Sequence, residues 1–234
     1  MKDWQPTASI PALRKRGEIL ANIRQFFAER NVLEVETPVM SHCAVSDPFI
    51  DSIETQYQPF PEAEVSPCYL QTSPEYAMKR LLAAGSGSIY QMAKAFRNGE
   101  QGHVHNPEFT MLEWYREGFD DLMLMSEVEA LVAKILNIET PFIRLTYQQA
   151  FERYLAVDLT KCSDDEVKEL ALQHIDVNLE NANRDDWLNL LMSHVIEPQL
   201  ASLNQPVFIT DYPASQAALA RTKINANGKL VAAR

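Results

Sequence analysis

The stretch FRNGEQGHVHNPEFTMLEWY, residues 96–115, gathers side chains able to do chemistry. Arg97 stands at the end of an apolar run and opens a polar loop, about 98–106, that contains Gly99 and Gly102. A guanidinium fork at such a loop suits a phosphate, which it grips through two parallel hydrogen bonds. A structural role for Arg97 is the plainer alternative. His103 and His105 form an H-x-H pair, but no third His or Cys lies at a ligand spacing, so a phosphate contact or an exposed loop position fits better than a metal.

Glu113 raises a sharper question. Side chains alternate faces along a strand, so a strand over 108–116 carries Phe109, Met111, Glu113 and Tyr115 on one face. Glu108, Thr110, Leu112 and Trp114 take the other. A carboxylate among aromatics and a methionine costs several kcal/mol, or stays protonated, unless it finds a cation or donors. That cation is either a neighbouring arginine, such as Arg116 or Arg80, or the amine of a ligand. Taken together, Arg97, the aromatics and Glu113 describe a phosphate clamp, an aromatic platform and an acid for an amine.

The elements that must position these groups follow from periodicity and punctuation. Ser9 reads as an N-cap, with Leu13, Leu20, Ile23 and Phe27 at helical spacing up to about Asn31. VLEVE (32–36) reads as a strand stopped by Thr37-Pro38. A weakly alternating stretch follows at 49–57, and then the prolines of 59–67. CYLQT (68–72) is a strand feeding Ser73-Pro74-Glu75, which reads as N-cap, first helical residue and first-turn acid. The helix runs through Leu82 and ends at Gly85-Ser86-Gly87.

Strands at 88–97 and 108–116 then form a long hairpin. Beyond it, Leu122, Met125, Val128, Val132 and Ile135 give a helix face. Thr146 with Gln149, and Ser163 with Glu166, match capping boxes. The acids Asp120-Asp121 and Asp164-Asp165-Glu166 suit helix N-termini. A helix over about 186–200 and a strand at VFIT (207–210) complete the order. These elements predict an α+β fold built on an antiparallel sheet flanked by helices.

With 234 residues, 46 % hydrophobic and 23 % charged, the chain can bury a sizeable core. The net charge of −11 disfavours non-specific nucleic-acid binding, which rests on Lys and Arg. Cys43, Cys68 and Cys162 show no pairing pattern, which suits a reducing cytoplasm. MKDWQPTASIPALRKR has no apolar core of a leader, and no apolar run reaches membrane-spanning length. No membrane association is expected.

Arg97-Asn98 followed by HNPEFTMLEWY (105–115) resembles the second signature motif of class II aminoacyl-tRNA synthetases, in their lysine-specific branch. The helix and strand over 10–38 resemble the first motif, which in that family forms the interface of a homodimer. TSPEYAMKRLL, from Thr72, resembles the amino-acid-binding segment. Within the branch, Ser73 before Pro74-Glu75 and DYPASQAALA (211–220) resemble the elongation factor P–(R)-β-lysine ligases. The start of the catalytic motifs near residue 10 leaves no room for an anticodon-binding barrel, so no tRNA partner is expected.

The resemblance implies ATP-dependent activation of (R)-β-lysine, or lysine, and transfer to a lysine of elongation factor P. It implies that Arg97 grips the α-phosphate as the catalytic group. Asn98, the backbone at Gly99, and Asn106 line the ATP site, Phe109 stacks on adenine, and His105 reaches toward the phosphate tail. Ser73, Glu75, Glu113 and Tyr115 hold the amino groups of the substrate.

Two departures accompany the match. Gly99 stands where many relatives carry Glu, with Glu100 one position later. The chain ends at KLVAAR, ahead of the family's acidic Mg²⁺ ligands and third motif. The whole of 1–234 is therefore expected to be one catalytic domain, C-terminally incomplete, with the Mg²⁺ ligands beyond it. A non-catalytic remnant acting as a binding or dimerisation module, and a lysyl-tRNA synthetase fragment, are the other readings.

Overall fold

The computed structural model describes residues 4–234; the first three residues, part of the stretch read as lacking a leader, lie outside the described residues. The chain divides into two compact units, Met1–Phe119 and Asp120–Arg234.

The first unit begins with α1 (Ile10–Ala28), whose N-cap Ser9 accepts the Ala12 N–H at 3.3 Å. Its buried side chains are Ile23, Phe26 and Phe27. Asn31, at φ +54°, takes the left-handed turn that ends the helix segment, a conformation asparagine tolerates better than most residues. Short strands β1 (Leu33–Glu34) and β2 (Met40–Ser41) follow, then β3 (Glu54–Tyr57) and β4 (Ser66–Leu70). The stretch read as VLEVE keeps two residues in register, Leu33 and Glu34, and Val35 N–H adds a bond to Tyr90 O at 2.9 Å.

Helix α2 (Glu75–Ala83) starts one residue later than the sequence suggests. Pro74 is the N-cap, with no side-chain cap bond, and Ser73 accepts the Glu75 N–H at 3.4 Å from one position earlier. At the other end, Ser86 N–H bonds Leu81 O and Gly85 N–H bonds Leu82 O, with Gly85 at φ +86°. That pairing is the Schellman stop, and a residue with a Cβ would be strained there.

The hairpin strands are β5 (Ile89–Phe96) and β6 (Glu108–Tyr115). They pair antiparallel along their full length, from Ile89↔Tyr115 to Phe96↔Glu108. β1 adds to β5 in parallel, so this sheet is mixed, with order β1-β5-β6; a second, antiparallel sheet has order β2-β4-β3. Phe27 of α1 stacks on Tyr90 at 4.3 Å and leans on Trp114 at 5.6 Å, and Tyr90 and Trp114 are directly paired across the two strands. Arg16 donates to the Thr110 hydroxyl at 2.8 Å. The face of β6 that carries Thr110 and Trp114 is therefore the one covered by α1.

In the second unit, Asp120 caps α3 (Asp121–Leu136) by accepting the Met123 N–H. β7 (Ile143–Thr146) leads into α4 (Tyr147–Leu155) through the Thr146/Gln149 capping box. α5 (Asp164–His174) starts on the Ser163/Glu166 box. A third box, Asn183/Asp186, opens α6 (Arg184–Leu191).

The single helix expected over 186–200 is interrupted. A π turn over Met192–Ile196 separates α6 from α7 (Glu197–Ala201). Pro198 has no N–H and its ring crowds the carbonyl four residues back, so the ladder widens just upstream of it. β8 (Val207–Thr210) pairs in parallel with β7. β9 (Tyr212–Pro213), β10 (Thr222–Ile224) and β11 (Leu230–Ala232) form a small antiparallel sheet. Tyr147, Phe151, Val167, Trp187, Leu188 and Leu191 are among the buried core of this unit.

Phe27 is fully buried between the two strands' aromatics. Phe27→Ala is expected to cost about 3–5 kcal/mol of stability, seen as an earlier urea transition in Trp114 fluorescence. An unchanged midpoint would mean that α1 does not hold this sheet.

Candidate substrate-binding site

The candidate residues come from three segments of the first unit. The end of β4 continues through Gln71, Thr72 and Ser73 into the first turn of α2, which brings Glu75. β5 delivers Arg97 one residue past its end, and β6 delivers Phe109, Met111, Glu113 and Tyr115 on the face opposite α1. Main-chain bonds knit these segments: Phe96 N–H to Gln71 O at 2.9 Å, and Asn98 N–H to Asp51 O at 2.9 Å. Asp51 and Gln71 lie far from the hairpin in sequence, and no local pattern marks them as its partners.

Arg97 is held on three sides. Its Nε donates to the Thr72 carbonyl at 3.4 Å. Its guanidinium lies over the Phe109 ring at 5.3 Å, a cation–π distance. One terminal nitrogen is 3.6 Å from the Glu100 carboxylate. The loop beyond is closed by its backbone, with Arg97 N–H on Pro107 O at 2.9 Å and Gly102 N–H on His105 O at 3.0 Å. Gly99 turns the chain at φ +75°. Asn98, Gly99, His103, His105 and Asn106 are all exposed.

At the other end of the same face, the Tyr115 hydroxyl donates to Glu113. Glu113 is half-buried rather than sealed in the core. Loss of hydration pushes its carboxyl above the usual range; the Tyr115 bond opposes this, Glu75 adds to the rise, and Lys79 works against it. Tyr115 is itself pushed well above an ordinary phenol, by burial first and then by the bond and charge of Glu113. Lys79 is thus a cation whose charge favours ionised Glu113, one that sequence proximity to Arg80 and Arg116 does not suggest. Lys79 forms an ion pair with Glu75 one turn earlier on α2. That i,i+4 spacing was visible in the sequence as a signal for Lys79.

Directly across the hairpin from Glu113 sits Gln91, 4 % exposed, whose side-chain oxygen accepts from Thr37 at 3.0 Å. The structure therefore brings Arg97 to Phe109, and Glu113 to Tyr115, Glu75 and Lys79. It leaves His105, Asn98 and Asn106 as exposed loop groups. Cys43, Cys68 and Cys162 are free thiols.

Among the described residues, no group of three or more His, Cys, Asp or Glu side chains is gathered as a metal requires. No protein-only metal cage is therefore formed among them, and a Mg²⁺ held mainly by nucleotide phosphates does not require one. Among the same residues, no helix is long and apolar enough to cross a membrane. A cleft of about 580 Å³ opens in the second unit, beside Ala182, Asn189, Met192 and Tyr212. None of the candidate residues lines it.

The raised Glu113 carboxyl sets a pH dependence. Folded, it keeps its proton to a higher pH than in the unfolded chain. Its contribution to stability is whole below the unfolded pKa and is lost as pH rises through the folded value. Glu113→Gln should thus melt higher than the parent chain at about pH 7, with the gap closing near pH 4. Equal shifts at both pH values would assign the difference to packing instead.

The sequence profile of the tRNA synthetases class II (D, K and N) family matches residues 3–233. Named relatives agree with it. The elongation factor P–(R)-β-lysine ligase of Vibrio vulnificus is 52 % identical over 234 residues, covering 99 % of this chain and 71 % of that protein. That of Vibrio cholerae is 51 % identical over 221 residues, with 94 % and 68 % covered. That of Pseudoalteromonas translucida is 49 % identical over 220 residues, with 93 % and 67 % covered. The chain belongs to the class II tRNA synthetase family and, within it, to the elongation factor P–(R)-β-lysine ligases.

Proposed function

We propose that this chain activates (R)-β-lysine with ATP and transfers the β-lysyl group to a lysine side chain of elongation factor P. One observation carries the assignment of roles. Along one face of β6, Arg97 sits over Phe109 at one end, and Glu113 with Tyr115 stands at the other. Four residues of strand separate them, about 13 Å. An adenosine phosphate and an aminoacyl group can lie end to end over that span.

In the first step a carboxylate oxygen of β-lysine attacks the α-phosphorus of ATP and pyrophosphate leaves. Arg97 stabilises the charge that builds on the phosphoryl oxygens, from a position already fixed by Thr72 and Phe109. Phe109 stacks on adenine, Asn98, Asn106 and the Gly99 backbone line the nucleotide, and His105 reaches the phosphate tail. Ser73, Glu75, Glu113 and Tyr115 hold the substrate's amino groups. Mg²⁺, when bound to the nucleotide, neutralises phosphate charge.

In the second step the lysine nitrogen of elongation factor P attacks the carbonyl carbon. The bond from that carbon to the phosphate oxygen breaks, AMP leaves with the electron pair, and the nitrogen loses its proton. The acceptor is taken from the relatives' shared name. The net charge of −11 fits a protein acceptor better than a tRNA. A translation factor as partner and three free thiols fit the cytoplasm.

The family profile runs through both units, so residues 1–234 are read as one catalytic domain. Exposed Ile10, Leu13 and Leu33 support a homodimer formed through 10–38.

ATP–pyrophosphate exchange with (R)-β-lysine and L-lysine in parallel tests the reading; preference for β-lysine is expected, and preference for L-lysine would move the chain toward the tRNA enzymes. Arg97→Ala should lower exchange about 10²- to 10³-fold with an unchanged melting temperature. Retained exchange would remove the phosphate-clamp role. Glu113→Gln should raise KM for β-lysine, and an unaltered KM would end its role as amine partner.

A further inference from the structure

The substrate end of the site already contains a cation of its own. Lys79 pairs with Glu75, and its charge also acts on Glu113. The negative charge of Glu75 in turn raises the Glu113 carboxyl. Two carboxylates near enough to raise one another's pKa favour a positive charge beside them. In the absence of substrate that charge is the ammonium of Lys79.

The pair has the i,i+4 geometry of a helix surface, but its Glu75 stands in the first turn of α2, at the candidate site. Lys79 also has the freedom to leave. Its side chain is 48 % exposed and flexible, whereas the Glu75 side chain is 31 % exposed.

We propose that Lys79 is a specificity-setting residue: a built-in ammonium that occupies the amine pocket until a substrate ammonium displaces it from Glu75. This inference rests on the amine-binding role given above to Glu75 and Glu113. A ligand with no cationic amine cannot displace Lys79 and meets a pocket that is already neutralised. A monoamine gains one carboxylate at the expense of the internal pair. A diamine such as β-lysine brings a second ammonium to a pocket with two carboxylates. The internal pair thereby weakens binding of every amine and discriminates against those that offer the pocket least charge.

The test is equilibrium binding of (R)-β-lysine by calorimetry, without ATP, to the parent chain, Lys79→Gln and Lys79→Arg. Removing the internal competitor should tighten binding about fivefold in Lys79→Gln, while Lys79→Arg, which restores a cation, should bind like the parent. A merely structural helix pair would shift the melting temperature and leave the dissociation constant unchanged. Unchanged or weaker binding by Lys79→Gln, with the parent binding normally, overturns the inference alone. Weaker binding would place Lys79 in direct contact with the substrate's carboxylate. If the parent chain binds neither β-lysine nor L-lysine, the amine-site reading fails, and the role of Lys79 fails with it.

Discussion

Everything at the candidate site depends on the register of one antiparallel pairing. With Ile89 opposite Tyr115 and Phe96 opposite Glu108, each side chain of β6 is committed to one face. A slip by one residue would carry Trp114 to the pocket side and Glu113 under α1, because the side-chain period of a strand is two. The covered face prevents that. Phe27 stacks on Tyr90 and meets Trp114, and Arg16 holds the Thr110 hydroxyl, so the slipped pairing would set charge against a buried phenylalanine. The chemistry of one face is thus positioned by the hydrophobic contacts of the other.

The same sheet explains why opposite charges can be kept apart on one short surface. Arg97 is fixed by a carbonyl, a ring and a carboxylate before any ligand arrives. Glu113 and Glu75 lie at the far end with a phenol and an ammonium to offset their repulsion. Orienting these groups in advance means that little reorganisation is left for the moment when charge develops.

Local signals in the sequence translate directly into structure where the interactions are themselves local. The Ser9 cap, the Thr146/Gln149 and Ser163/Glu166 boxes and the glycine stop after α2 each involve groups a few residues apart, and all of them form. The two faces of β6 follow from its alternation alone. Longer-range partners leave no such trace. The parallel addition of β1 to β5, the Asp51 carbonyl on Asn98 and the Thr72 carbonyl on Arg97 depend on where the chain returns in space. The Ser73-Pro74 boundary shifted because the serine hydroxyl can serve the same N–H from one position further back. The break near residue 194 is the reverse case, since Pro198 was in plain view but its effect falls upstream of it.

The loop between β5 and β6 is closed by its main chain: Pro107 to Arg97, His105 to Gly102, and Asp51 to Asn98. Its exposed side chains take little part in holding its shape, apart from Glu100 on Arg97. A loop tied in this way can drift in sequence while its path stays constant. Replacements of its exposed side chains alter the surface the tip presents without altering the scaffold, whereas the glycine at 99, at φ +75°, is tied to the turn itself. Over evolutionary time this hairpin tip is where new ligand preferences could arise on an unchanged sheet.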